Sequence, residues 1–222
     1  RLKELDWEDY RIRYGNIGRL DRILEAEGDS TNSYRLSKQA DVLMLFYLLS
    51  ETEIAEIIEH LGYRWDPLLP SRCVDFYLHR TAHGSTLSKL VHAWVVARID
   101  RDVAWRLFGE ALESDVSDVQ GGTTQEGIHL GAMVGTVDLL QRGFTGLETR
   151  GDMLRFDPYL PEEIGQLHFR MRYREHYGLE VFLTQDELRI VGRRHVGGPL
   201  HLRVRDTDLE VDPGGAISIP LD

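Results

Sequence analysis

Leu167-His168-Phe169-Arg170-Met171-Arg172-Tyr173 alternates apolar and polar side chains residue by residue. That is the period of a β-strand with one face on a core and the other in water. Leu179, Val181 and Leu183 continue it, with Glu180 and Phe182 between them. Four more short apolar runs follow, at 188–191, 200–204, 209–211 and 217–219. They are broken by Gly192, Gly197-Gly198-Pro199 and Asp212-Pro213-Gly214-Gly215, residues that supply turns. Residues 158–222 are therefore predicted to form a small antiparallel β-sandwich. The arginines that alternate along its first strand read as a solvated sheet face rather than an anion site.

Before Pro158 the period lengthens to three and four. Ala40, Leu43, Met44, Tyr47 and Leu48 share a helix face, as do Ile54, Ile57, Ile58 and Leu61 after the start at Glu51-Thr52-Glu53. Leu87, Leu90, Val91, Trp94 and Val95 repeat the pattern. So do Val103, Ala104, Leu107, Phe108, Ala111 and Leu112, with Asp100 or Asp102 placed as a cap. A last helix is expected over 128–142, thinned on one side by Gly131, Ala132 and Gly135. Residues 1–157 thus read as a helical domain of roughly six helices, and the chain as an α+β protein of two domains.

The 222 residues are 42% hydrophobic and 28% charged with a net charge of −11. That excludes wholesale disorder, and it argues against a broad nucleic-acid-binding surface or an anionic-membrane anchor. No apolar run approaches the ~18 residues of a membrane span. The single cysteine, Cys73, allows no internal disulfide and suits a reducing compartment, so the expected location is cytoplasmic. The chain opens on Arg1 rather than Met and is read as part of a longer polypeptide.

Three polar clusters interrupt the helical half. In Ser37-Lys38-Gln39-Ala40-Asp41 the serine is placed to cap a helix. Lys38 and Gln39 then fall in its first turn, where a lysine is misplaced for the helix dipole. Thr81-Ala82-His83-Gly84-Ser85-Thr86-Leu87-Ser88 sets hydroxyls and a histidine around one glycine just before a helix. Exposed N–H groups there can cradle an anion, although ordinary N-capping uses the same residues. In Gly121-Gly122-Thr123-Thr124-Gln125-Glu126-Gly127-Ile128-His129, Glu126 and His129 stand three apart, but nothing supplies a third ligand for a metal. The chain contains no GxSxG elbow, and Cys73 has no base beside it in sequence.

Taken in order, these clusters resemble a known family. Lys38-Gln39-Ala40-Asp41-Val42, His83-Gly84-Ser85-Thr86-Leu87-Ser88 and Thr124-Gln125-Glu126-Gly127-Ile128-His129-Leu130-Gly131-Ala132-Met133-Val134-Gly135-Thr136 are followed by Gly151-Asp152-Met153-Leu154 and Pro158-Tyr159-Leu160-Pro161. The series looks like the C-terminal part of glycoside hydrolase family 65, which includes maltose, trehalose and kojibiose phosphorylases and some hydrolases. The resemblance runs from about Asn32 to Asp222.

That resemblance implies the second half of an (α/α)6 helical barrel followed by a β-sandwich, the upstream half of the barrel belonging to the same polypeptide. It implies that Lys38 and Gln39 bind the sugar before the scissile bond. It likewise implies that Ser85, Thr86 and His129, with His83 as a further candidate, bind phosphate. The family loop carries two serines where this chain has Ser85-Thr86, which keeps a hydroxyl. The general-acid glutamate is expected upstream of Arg1, so no catalytic residue is assigned here, and Glu126 is not given that role. The implied activity is inverting phosphorolysis of an α-linked glucose disaccharide to β-glucose 1-phosphate. Inorganic phosphate is the co-substrate, and no metal or organic cofactor is expected. Partners are the disaccharide and phosphate, with no nucleic acid or membrane and with a homodimer left open. Alternatives are an inverting hydrolase of the same family and a non-catalytic carbohydrate-binding protein. The chain alone is expected to be inactive.

Overall fold

The computed structural model describes residues 1–222 except 98, 119–124, 126, 150, 196 and 222. The chain folds into two compact units, Arg1–Thr136 and Val137–Asp222.

The first unit is helical: α1 (Trp7–Tyr14), α2 (Leu20–Ala26), α3 (Met44–Leu48), α4 (Glu51–His60), α5 (Leu69–Leu78), α6 (Thr86–Val96), α7 (Arg101–Leu112) and the start of α8 (Leu130–Asp138). Several helices begin where local chemistry satisfies their free N–H groups. Ser50 and Glu53 form a reciprocal capping box at α4, and the Asp100 carboxylate accepts the Val103 N–H at α7. Helix α6 is the buried one. Leu90, Val91, His92, Ala93, Val95 and Val96 are all inaccessible or nearly so, and Val91, Val95 and Val96 join Ala40, Leu43 and Val74 in one core. A second core gathers Leu5, Tyr10, Ile17, Leu20, Leu24 and Ala82.

The unit differs from the sequence reading in three ways. The helix expected from Ala40 shrinks to Met44–Leu48. Helices α1, α2 and α5 have no counterpart in the periodicity. Helix α1 buries only Tyr10, so it shows no apolar stripe and is held by its Asp6 cap and the acidic start and basic end that suit its dipole. The last helix breaks after Asp138 into a π-helical turn, Leu139–Gly143.

The second unit contains eight strands among its described residues: β1 (Leu154–Phe156), β2 (Leu167–Tyr173), β3 (His176–Leu183), β4 (Glu187–Val191), β5 (Arg194–His195), β6 (Leu200–Val204), β7 (Thr207–Val211) and β8 (Ala216–Pro220). One sheet runs β1-β6-β7. The other runs β2-β3-β4-β8, with β5 pairing on β3. Both feed a single core that includes Leu154, Phe156, Leu200, Leu202 and Val204 from one sheet and Leu179, Val181, Leu183, Leu188 and Ile190 from the other. Two sheets closed over a shared core make a small β-sandwich.

Within 158–222 the strand pairings are antiparallel as expected, and β1, ahead of Pro158, adds to them by pairing parallel with β6 in the register Leu154 to Leu202. The compact units divide at 136/137, and β1 belongs to the second of them although it precedes Pro158. A second surprise is Glu180, which lies on β3 between apolar neighbours and is only 3% exposed. Arg170 (2.6 Å) and Arg193 (3.0 Å) neutralise it. Burial pushes its carboxyl up, yet the two guanidinium hydrogen bonds outweigh that and hold it below the usual carboxylate range.

Candidate active site

The segment holding Lys38 and Gln39 is not a helix start. Ser37 bridges in parallel to Thr81, its N–H donates to the Arg80 carbonyl (2.7 Å), and its carbonyl accepts the Ala82 N–H (2.9 Å). The Ser37 hydroxyl donates to the Gln39 carbonyl rather than capping helix N–H groups. Lys38 therefore stands in an irregular turn, and the dipole conflict expected of it does not arise. Its ammonium is 3.2 Å from Asp21, which Arg19 also contacts. Burial raises the Asp21 carboxyl, but hydrogen bonds from Arg19 and Lys38 overcome it and bring it down to about 2. The Gln39 amide donates to Asp41 (3.0 Å).

This pairing of segments brings Lys38 against the hydroxyl-rich run. The Gly84 N–H donates to the Lys38 carbonyl (2.8 Å). A Cβ on Gly84 would stand 2.8 Å from the Gly18 carbonyl oxygen and 3.0 Å from Lys38 Cγ, so only glycine lets the turn lie on the lysine stem. His83 just before it takes φ 55°, an unusual left-handed conformation for a non-glycine residue. Ser85 then occupies the N-cap position of α6 in extended conformation but makes no capping bond with its side chain. Thr86 is buried in the first turn behind it.

His83 and His92 meet through Ser88. His83 Nδ1 is 3.1 Å from the Ser88 hydroxyl, His92 Nδ1 is 2.8 Å from the Ser88 carbonyl, and the rings touch edge to face. Burial drives the His83 imidazole down to about 3, helped by the neighbouring His92, Lys89, Arg11 and Arg106. At neutral pH His83 is therefore uncharged and can offer a ligand only a neutral hydrogen bond. It borders a cavity of about 920 Å³ whose lining includes Trp7, Arg11, Lys89, Arg106 and Glu110. Glu110 lies 2.8 Å from Lys89 and 3.6 Å from Arg106, leaving a net positive wall in an acidic chain.

His129 is anchored separately, on the connection between α7 and α8. Its carbonyl accepts the N–H groups of Ala132 and Met133, which puts it immediately before the first residue of α8. Asp115 holds it twice: one carboxylate oxygen accepts the main-chain N–H (2.8 Å) and the other faces ring Nδ1 (2.5 Å). Sequence reading missed Asp115, since nothing local relates two residues fourteen apart. Residues 121–124 and Glu126 of the same motif lie outside the described residues.

The structure therefore brings Lys38, His83 and Gly84 together, with Gln39 and Ser85 next along the same two segments. In a helical unit followed by a β-sandwich, this turn at the start of α6 offers hydroxyls and main-chain N–H groups that can bind an anionic or hydroxylated ligand. The family follows from comparison with known proteins. Residues 1–138 match the glycosyl hydrolase family 65 central catalytic domain and residues 147–211 that family's C-terminal domain; the chain belongs to glycosyl hydrolase family 65.

An uncharacterised glycosyl hydrolase of Mycobacterium tuberculosis strain H37Rv is 57% identical over 192 residues, 86% of this chain and 14% of that protein. The trehalose 6-phosphate phosphorylase of Lactococcus lactis strain IL1403 is 40% identical over 178 residues, 78% of this chain and 23% of that enzyme. This chain thus spans less than a quarter of the length of either relative. A solved structure from the human microbiome, provisionally named a kojibiose phosphorylase, superposes with a TM-score of 0.74 at 22% identity. The match covers 100% of this chain and 29% of that one, and it supports the fold. Among the described residues, no helix is long and apolar enough to cross a membrane.

Proposed function

We propose that this chain is the C-terminal portion of an inverting disaccharide phosphorylase. Its helices would form the second half of an (α/α)6 barrel that the upstream half of the same polypeptide completes. The substrate is an α-linked glucose disaccharide, and the products are β-glucose 1-phosphate and a free sugar. The observation that carries this reading is the seating of the His83-Gly84-Ser85 turn on Lys38, whose carbonyl accepts the Gly84 N–H and whose stem lies against Gly84 just before the start of α6.

In the reaction, a carboxylic acid from the upstream part of the polypeptide protonates the glycosidic oxygen as its bond to C1 breaks. A phosphate oxygen attacks C1 from the opposite face, inverting it. Phosphate replaces the water and the base of an inverting hydrolase, so no second carboxylate is needed. Lys38 and Gln39 hold the glucosyl unit by its hydroxyls. Ser85, Thr86 and His129 hold the phosphate, and His83 contributes as a neutral partner. The free Cys73 fits a cytoplasmic setting.

The test is disaccharide cleavage by the full-length protein with and without phosphate. Maltose, trehalose, kojibiose and trehalose 6-phosphate form the panel, the last because the Lactococcus relative is named for it. Phosphate-dependent release of β-glucose 1-phosphate, reversible with a sugar acceptor, is expected. Full-rate cleavage in phosphate-free buffer to free glucose would overturn the reading in favour of a hydrolase.

A further inference from the structure

We propose that Asp115 is a positioning residue that fixes the ring orientation and tautomer of His129 toward the bound anion. The inference rests on the reading of His129 as a phosphate ligand. Asp115 lies on the turn after α7, with its side chain only 9% exposed, while the His129 side chain is 29% exposed. The carboxylate is thus sheltered and the imidazole is open to a ligand. A carboxylate only accepts hydrogen bonds, so Nδ1 at 2.5 Å must carry the proton that it shares.

The second bond, from the His129 main-chain N–H to the other oxygen, ties backbone and ring to one rigid group and removes the freedom of the ring to flip. Nε2 is then the only ring nitrogen left for a ligand. It accepts from a P–OH group when the ring is neutral and donates to a phosphate oxygen when the ring is protonated. This is the logic by which a buried carboxylate orients a histidine in other polar sites. The hydrogen bond from His129 is also the largest cause holding the Asp115 carboxyl below its usual range, so the carboxylate is the form that makes this pair.

A purely structural role is the competing account: Asp115 would merely clip the start of α8 to the end of α7. A double-mutant cycle on the full-length protein separates the two, with Asp115→Asn, His129→Ala and the double variant assayed across phosphate and disaccharide concentrations. Positioning predicts that Asp115→Asn raises the KM for phosphate by about 5- to 150-fold. It also predicts an unchanged KM for the disaccharide, and a double variant no worse than His129→Ala. Additive losses, or equal rises in both KM values, overturn the proposal.

If Asp115→Asn does not fold, Asp115→Glu takes its place in the cycle, since it keeps the charge and displaces it by one methylene. Failure of the phosphorylase reading is seen in the wild type alone, as cleavage without phosphate. The cycle is then scored on kcat/KM for hydrolysis, where coupling between the two positions supports positioning and additivity overturns it.

Discussion

His83 stands edge-on to His92, with ring centroids 4.6 Å apart and planes at 69°, and both rings are tied to Ser88. Burial depresses both imidazoles, that of His83 to about 3. In the unfolded chain each would take a proton near 6.5. Their contribution to stability is therefore fully present above that pH. It is lost as pH falls through the window from about 6.5 toward about 3, because only the unfolded state binds the proton.

The slope this adds is at most one proton per histidine, ~1.4 kcal/mol per pH unit each. Urea unfolding at pH 7, 6 and 5 should show the loss. His83→Asn keeps a residue that tolerates positive φ and should flatten the slope by up to one proton. Parallel pH profiles for wild type and variant would remove His83 from the account.

Gly135 on α8 fits directly against Leu90 of α6, which is fully buried: a Cβ built on it would lie 1.9 Å from a Leu90 methyl. Gly135→Ala gains helix propensity of up to ~1 kcal/mol. It also overpacks a closed contact at a cost of ~1–3 kcal/mol. The net expectation is destabilisation, read as a lower denaturant midpoint, with partial rescue by Leu90→Val. A stabilised Gly135→Ala would mean that Leu90 yields freely.

Lys38 and Gln39 carry the proposed sugar contacts, and their present partners, Asp21 and Asp41, are acidic groups that a sugar hydroxyl can replace or share. Lys38→Ala and Gln39→Ala in the full-length protein should lower kcat/KM for the disaccharide. Losing a hydrogen bond to a charged donor is worth ~1.5–3 kcal/mol, or ~10–150-fold, at Lys38, and less at the neutral Gln39. Wild-type kcat/KM in both variants would reduce these residues to a solvated turn.

Ser85 supplies a hydroxyl at the α6 N-cap that no capping bond consumes, and Thr86 lies buried behind it. Ser85→Ala and Thr86→Ala should raise the KM for phosphate more than that for the disaccharide, as should His129→Ala. Each removes a contact to the attacking group alone. Steady-state kinetics with either substrate varied decides this, and an equal effect on both KM values would move these residues off the phosphate.

Much of this molecule was legible along the chain. The two-residue period of β2, the α4 start at Glu51-Thr52-Glu53 and the Asp100 cap are signals between near neighbours. Sterics and hydrogen bonding over a few residues settle them before any packing occurs. What tertiary structure decided lies between residues far apart. Locally Ser37 has the features of a helix cap, because its competing partner, Thr81, is remote in sequence; main-chain bonds to Arg80 and Ala82 win and carry Lys38 to the His83-Gly84 turn. Glu180 alternates where a solvent-facing residue belongs, yet it is buried, since Arg193 crosses over from the end of β4 to pair with it. The β1 strand is three residues long, too short to announce itself, and exists because Leu154 and Phe156 find a place beside β6. Asp115 and His129 are joined only once α7 has ended and α8 has begun. Local periodicity chose the elements; the need to bury apolar surface while satisfying each buried polar group chose their partners.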